Sequence, residues 1–130
     1  EEQHAKRINA VAFPHYGDDD WKTFAARLFI ENAKGVPTLA YDPDISAPIK
    51  AAGAGALVPD LWPLYRTLAQ KPVLIVRGET SDLLSPAILE RMLAEGSGAT
   101  SVEVSGIGHA PMLDEPQAKA AITAFLSKQP

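Results

Sequence analysis

Asp82 and His109 are the two side chains of this 130-residue chain whose types and surroundings favour catalysis. Each follows an apolar, strand-like run, since Asp82 comes after residues 72–76 and His109 comes after residues 101–104. Loops beyond the carboxyl ends of neighbouring parallel strands meet at one edge of a sheet, so the two side chains are expected to lie close together. A carboxylate bonded to one imidazole nitrogen fixes the tautomer of the ring and stabilises the imidazolium. The pair is therefore predicted to be a general base and the acid that orients it.

The loop before Asp82 leaves one alternative for the acid. Glu79 lies in the same loop and could also face His109, although its position favours Asp82 as the partner. In the loop that leads to His109, Gly106 and Gly108 allow the backbone to turn tightly and to bring His109 inward.

Other chemically suggestive residues are interpreted as structural. His4 and His15 lack the spacing of metal ligands and are expected at the surface. The acidic run at 18–20 lacks the rest of a calcium loop and is expected to begin a helix. The glycines within 51–56 lack both a preceding strand and a third glycine, so this segment is predicted to be a connector rather than a nucleotide-binding loop. No metal or organic cofactor is expected.

The elements that must position Asp82 and His109 alternate between helix and strand over residues 57–130. The run at 72–76 is continuously apolar and β-branched, which is typical of a parallel strand covered on both faces. The predicted elements are, in order, a helix capped by Asp60, a strand at 72–76, a helix from Pro86 to Glu95 capped by Ser85, a shorter strand at 101–104 and a last helix that begins at Asp114. This alternation predicts an α/β fold with a parallel sheet.

Residues 1–56 differ in composition from residues 57–130, and their sequence predicts short helices joined by loops. The clearest is an amphipathic helix that begins at 18–20, carries an apolar stripe from Trp21 to Phe29 and ends before Gly35. A second helix is predicted at about 5–12, and a short one after Asp44.

Composition excludes several classes of function. The chain has 12 basic and 16 acidic residues and a net charge of −4, which argues against nucleic acid as a partner. It contains no cysteine, so disulfides and thiolate sites are absent, as is compatible with a cytoplasmic location. No apolar run approaches the length of a membrane span, and no membrane partner is expected.

The two loops resemble a known family when their sequences are taken together. Residues 74–85, LIVRGETSDLLS, and 104–111, VSGIGHAP, followed by a closing helix, are similar to the C-terminal part of α/β-hydrolase-fold enzymes. The resemblance covers residues 60–130, and residues 41–43 and the Trp21 helix resemble the end of the cap of the same family. It implies domains at 1–56, a partial helical cap, and 57–130, part of the hydrolase core. It also implies that Asp82 is the triad acid and that His109 is the triad base.

The sequence departs from the family at the nucleophile. The family places a G-x-S-x-G elbow before the cap, and these 130 residues contain no such motif. None of the serines replaces it, since Ser81 directly precedes the acid and Ser85 is interpreted as a helix cap. The chain is therefore expected to be a C-terminal fragment of a hydrolase of esters or related acyl compounds, inactive alone, which meets its small-molecule substrate only with the missing half.

Two alternatives stay open. The nucleophile could be an aspartate, as in the dehalogenases and epoxide hydrolases of the family, because the deciding position lies outside the chain. The chain could also be a non-catalytic module that associates with itself. Two parallel strands leave an exposed edge and an uncovered apolar face, which predicts association with the missing half or with another copy.

Overall fold

The computed structural model of the protein describes residues 1–52 and 59–129, and the chain divides into two compact units. The first unit comprises Glu1–Ala10 and His15–Pro59, and the second comprises Val11–Pro14 and Asp60–Pro130. The second unit carries both predicted site residues. Most of the connector predicted at 51–56 lies outside the described residues, and its first two residues belong to a helix.

The first unit consists of short helices and one hairpin. Its elements are α1 (Glu2–Asn9), α2 (Asp18–Leu28), β1 (Phe29–Glu31), β2 (Pro37–Leu39), a 3₁₀ helix (Pro43–Ser46) and α3 (Ala47–Ala52). Helices α1 and α2 pack together, with Ala5 of α1 and Trp21 of α2 buried. At the start of α2, the Gly17 amide donates to the Asp20 carboxylate at 2.9 Å, which confirms that the acidic run begins a helix.

The hairpin is a correction to the predicted helix. The apolar stripe was expected to continue to Phe29, but that residue begins β1 and pairs with Leu39 of β2 in an antiparallel ladder. The turn is stabilised by Asn32, whose side-chain oxygen accepts from the amides of Lys34 and Val36. Gly35, predicted as a helix stop, lies in this turn at φ 71°, a left-handed conformation that glycine adopts without strain. The helix prediction is wrong at this end because the hydrogen bonds of the Asn32 side chain stabilise a turn, although the apolar residues up to Phe29 have helical spacing.

The second unit alternates helices with a parallel strand pair. Its elements are α4 (Trp62–Leu68), β3 (Val73–Gly78), α5 (Pro86–Glu95), β4 (Ala99–Val104) and α6 (Pro116–Leu126). The two strands pair in parallel register from Val73 opposite Ala99 to Gly78 opposite Val104. Ile75, Val104 and Ala118 of α6 are among its buried apolar residues. The predicted α/β fold with a parallel sheet is confirmed.

One of the two predicted caps of this unit forms, because the Ser85 hydroxyl accepts from the Ile88 amide at 3.3 Å. The prediction for Asp60 is wrong, since Leu61 is the N-cap residue of α4 and the Asp60 carboxylate accepts from the amide of Trp62, the first residue of the helix, at 3.0 Å. The last helix begins later than predicted, because its N-cap residue is Glu115 rather than Asp114. Strand β4 begins two residues earlier than predicted, at Ala99.

Helices α4 and α5 are joined by polar groups. The Tyr65 hydroxyl donates to the Met92 carbonyl at 2.6 Å, and Arg66 pairs with Glu95 at 2.5 Å. Hydrogen bonds from Arg91 and Arg66 lower the pKa of Glu95 below its usual value.

Among the described residues, no helix is long and apolar enough to cross a membrane.

Candidate active site

The loops after β3 and β4 continue the strand pairing beyond the strands. The Glu79 amide donates to the Val104 carbonyl at 2.9 Å, and the Thr80 amide donates to the Ile107 carbonyl at 3.0 Å. The expectation that both loops lie at one edge of the sheet is therefore correct, and backbone bonds set their relative position.

Close backbone contact between the loops depends on Gly78. A Cβ atom added there would overlap the carbonyl groups of Ile107 and Gly108. Gly108 is buried as well, and its amide donates to the Ala12 carbonyl at 2.6 Å. Gly78 thus allows the backbone that precedes His109 to approach β3 closely, and Gly108 allows the same backbone to approach Ala12.

His109 lies directly across from the loop of the predicted acid, but its ring contacts the neighbouring residue. The His109 Nδ1 atom is 3.4 Å from the Ser81 Oγ atom, and both Asp82 and His109 are exposed. Among the described residues, Asp82 makes no hydrogen bond to the ring. The structure therefore brings the two predicted residues to one edge, with Ser81 at the ring nitrogen where the acid was expected.

Ser81 holds the turn that contains Asp82. Its hydroxyl oxygen accepts from the Leu84 amide at 3.1 Å, and its own amide donates to the Gly78 carbonyl at 3.0 Å. Only 8% of Ser81 is exposed. Asp82 thus projects from a turn whose two ends are hydrogen-bonded.

Arg77 holds the Leu84 end of the same loop through a hydrogen bond from its side chain. This residue of β3 is only 3% exposed, and its Nε donates to the Leu84 carbonyl at 2.6 Å. Its Nη1 pairs with the carboxylate of Glu103 on β4, whose side chain is half exposed. A buried guanidinium with a fixed fork of donors therefore links the loop that contains Asp82 to both strands.

Glu79, the alternative acid, contacts the other loop through its carboxylate. Its Oε2 accepts from the Gly106 amide at 2.7 Å. Gly106 adopts φ 70°, so this bond stabilises the tight turn that leads to His109. In this arrangement Glu79 binds the backbone before His109 rather than its ring.

The other predicted polar residues lie in the first unit. His4 is exposed, with its Nδ1 atom 3.5 Å from Arg7, and His15 is exposed. Sequence reasoning treated Ser81 only as a neighbour of the acid and did not single out Arg77. A signal for Arg77 was available, because a charged residue directly after a continuous apolar run must find a partner when the strand extends to it and buries it.

Comparisons with known proteins agree with this fold. No protein-family model matches the chain. An α/β hydrolase from Novosphingobium aromaticivorans is 34% identical, with a TM-score of 0.83 over 99% of this chain and 46% of that one. The chain therefore has part of the α/β-hydrolase fold.

Two further α/β-hydrolase-fold structures and one curated protein are similar to this chain. E-2-(acetamidomethylene)succinate hydrolase is 28% identical, with a TM-score of 0.62 over 97% of this chain and 45% of that one. A thioesterase domain from the curacin biosynthetic pathway, at 23% identity and a TM-score of 0.59 over 98% of this chain and 43% of that one, shares the fold. The 3-hydroxybutyrate-oligomer hydrolase of Cupriavidus necator is 29% identical over 123 residues.

The chain spans less than half the length of these relatives. The match to the Cupriavidus protein covers 91% of this chain and 42% of that protein. The described sheet of two parallel strands likewise covers only part of the full fold.

Proposed function

We propose that this chain supplies the acid and the histidine of an α/β hydrolase that cleaves an ester or related acyl bond. A nucleophile outside these 130 residues attacks the carbonyl carbon. His109 takes the proton of the nucleophile as general base and returns it to the leaving group as general acid. Asp82 orients the ring and stabilises its protonated form.

The observation that carries this proposal is the pairing of the two loops. Thr80 and Ile107 are joined by a backbone hydrogen bond, and this bond holds the loop of Asp82 beside the loop of His109. Asp82 and His109 are both exposed on these paired loops, so a carboxylate and an imidazole are available to a substrate and to a nucleophile from outside the chain. The Cupriavidus relative, named for hydrolysis of 3-hydroxybutyrate oligomers, supports an acyl compound as the substrate class.

The test expresses the gene that encodes this chain from its own start codon and measures hydrolysis of p-nitrophenyl esters and of a 3-hydroxybutyrate dimer. His109→Ala is expected to lower kcat about 10³-fold or more, because the base is lost. Asp82→Asn is expected to have a comparable effect, because the amide favours the wrong tautomer of the ring. His15→Ala, at an exposed position of the first unit, is the matched histidine control and should keep the wild-type rate.

One further variant, Glu79→Gln, decides which carboxylate acts. If Glu79→Gln lowers kcat as strongly as Asp82→Asn, the assignment of Asp82 alone is wrong. Full activity after His109→Ala would refute the proposal.

A serine-directed fluorophosphonate that inactivates the enzyme supports a serine nucleophile, whereas resistance combined with hydrolysis of haloalkanes or epoxides supports an aspartate.

A second candidate is a non-catalytic module that associates with itself. The observation that favours it is an apolar stripe along α4, formed by Leu64, Leu68 and the N-cap residue Leu61, which are 68%, 60% and 56% exposed. Exposed apolar residues at this helical spacing form a stripe of the kind that binds another protein surface.

A further inference from the structure

A short segment near the N-terminus, Val11–Pro14, lies against the loop that leads to His109. It belongs to the second unit, whereas the residues on both sides of it belong to the first. Its Ala12 carbonyl accepts a hydrogen bond from the Gly108 amide at 2.6 Å. This segment, hereafter the N-terminal strap, therefore binds the residue that directly precedes His109.

The strap and the loop are in contact through their backbones. A Cβ atom added to Gly108 would lie 2.7 Å from the Ala12 Cα atom and 2.9 Å from the Ala12 Cβ atom, closer than real Cβ atoms approach. Gly106 has a positive φ of 70°, but Gly108 is not among the glycines with positive φ. The glycine before His109 is therefore required by its contact with the strap.

The strap completes a series of hydrogen bonds along this loop. The loop after β3 supplies two of them, from the Glu79 carboxylate to the Gly106 amide and from the Thr80 amide to the Ile107 carbonyl. Both end before the residue that precedes His109. The strap thus supplies the next bond along the chain, at the amide beside the proposed base.

This bond matters because the Gly108 amide is buried. A buried amide without a partner is unfavourable, and a glycine without a fixed partner has many accessible backbone conformations. His109 follows directly, so each of these conformations would place its imidazole differently. A misplacement of about 1 Å in an active site lowers the rate by about 10²-fold.

Phe13 anchors the strap. Its side chain is only 4% exposed, whereas Val11 in the same segment is 92% exposed. Burial of an aromatic side chain is a large stabilising contribution for so short a segment. Replacement of Phe13 is therefore expected to release the strap while leaving the sequence of the His109 loop unchanged.

We infer that the N-terminal strap is a positioning element for His109, in which the Ala12 carbonyl holds the Gly108 amide and Phe13 holds the strap. The functional meaning rests on the proposed function, in which His109 is the base. With the strap bound, the backbone beside the base has one position. With the strap released, the loop keeps its bonds to the loop after β3 but loses the bond nearest to the base.

The first test measures amide hydrogen exchange in ¹⁵N-glycine-labelled protein expressed from the gene that encodes this chain. The Gly98 amide, which donates to the Ala69 carbonyl at 2.9 Å beside the start of β4, is an internal reference in the same sample. Phe13→Ala is expected to raise the exchange rate of Gly108 relative to Gly98 about tenfold, as for loss of one hydrogen bond. Phe13→Leu keeps a large apolar side chain and should retain the slow exchange.

The second test separates positioning from general stability. In ester hydrolysis, Phe13→Ala is expected to lower kcat about tenfold and to change KM less than about twofold, because the base is misplaced. Gly98→Ala is the matched structural control, since its added methyl group would overlap the Lys71 carbonyl, away from His109. This control should keep the wild-type kcat.

Unchanged exchange of Gly108 in Phe13→Ala would overturn the inference. Equal acceleration of Gly108 and Gly98 would also overturn it, because the variant would then destabilise the whole unit. In an active enzyme, a wild-type kcat after Phe13→Ala would do the same.

If Phe13→Ala does not fold, the hydrogen bond is measured in the wild-type protein through the scalar coupling between the Gly108 nitrogen and the Ala12 carbonyl carbon. This coupling should be at least as large as that between Gly98 and Ala69, whose bond is longer. Its absence while the reference coupling is observed refutes the contact. Because exchange and coupling require no turnover, failure of the proposed hydrolase and failure of the strap are separate results.

Discussion

At the residue scale, Gly78 determines how closely the two site loops approach each other. Any side chain there meets the carbonyl groups of Ile107 and Gly108, which belong to the segment that ends at His109. A flexible side-chain tip could move aside, but these are backbone atoms held by their own hydrogen bonds. The distance between the loops is therefore sensitive to a single methyl group.

We predict that Gly78→Ala lowers the free energy of unfolding by about 3 kcal/mol or more, because the added methyl group overlaps backbone that cannot relax locally. Urea unfolding of the chain, followed by circular dichroism, measures the change. Gly17→Ala is the control, because a Cβ atom there would meet only the Asp20 carboxylate at 3.7 Å. Its cost should stay below about 1 kcal/mol, and equal costs at the two positions would contradict the prediction.

At the scale of elements, β3 and β4 are joined by a charged pair as well as by their backbone ladder. Arg77 is buried within β3, and its guanidinium contacts the Glu103 carboxylate on β4 and the Leu84 carbonyl in the loop that contains Asp82. A charge in this position costs free energy unless its partners are present. The same contacts tie the acid loop to the strand that leads to His109.

Glu103→Gln is expected to destabilise the chain by about 1–3 kcal/mol, since it removes the counterion of a buried guanidinium while leaving an uncharged acceptor. The half-exposed position of Glu103 places the effect below that of a fully buried pair. Denaturant unfolding measures it, with the exposed Glu90→Gln on α5 as the matched control. A Glu103→Gln variant as stable as Glu90→Gln would show that solvent replaces the carboxylate at no cost.

At the scale of the whole molecule, exposed apolar surface is the most consequential feature. The α4 stripe of Leu61, Leu64 and Leu68 is exposed, and the second unit has a sheet of only two strands among the described residues. Such surface is stabilised by contact with further protein, which both the proposed hydrolase and the self-associating module provide.

We expect the purified chain to self-associate through this stripe. Multi-angle light scattering over a range of concentrations should give a mass above the monomer mass of 13.9 kDa. Leu64→Lys with Leu68→Lys should shift the mass toward the monomer, because two charges then face the contact. Ile45→Lys, at an exposed apolar position of the first unit, should leave the mass unchanged. A stable monomer at all concentrations would contradict the prediction.

The sequence by itself determined the parallel strand pair and the helices around it. The continuous apolar run of β3, the Ser85 cap and Gly106, which adopts φ 70°, are local signals whose physical effect depends little on distant residues. The hairpin in the first unit was missed because the Asn32 turn bonds compete with a helical pattern of the same apolar residues.

Only the tertiary structure decided which side chain meets the His109 ring. Glu79, Ser81 and Asp82 lie within four positions of one loop, and sequence order does not distinguish which of them points across the sheet edge. The backbone bonds between the loops and the turn closed by Ser81 set that direction, with Glu79 on the Gly106 amide and Ser81 at Nδ1. Spacing places a residue in a loop, but the hydrogen bonds of the folded loop determine where its side chain lies.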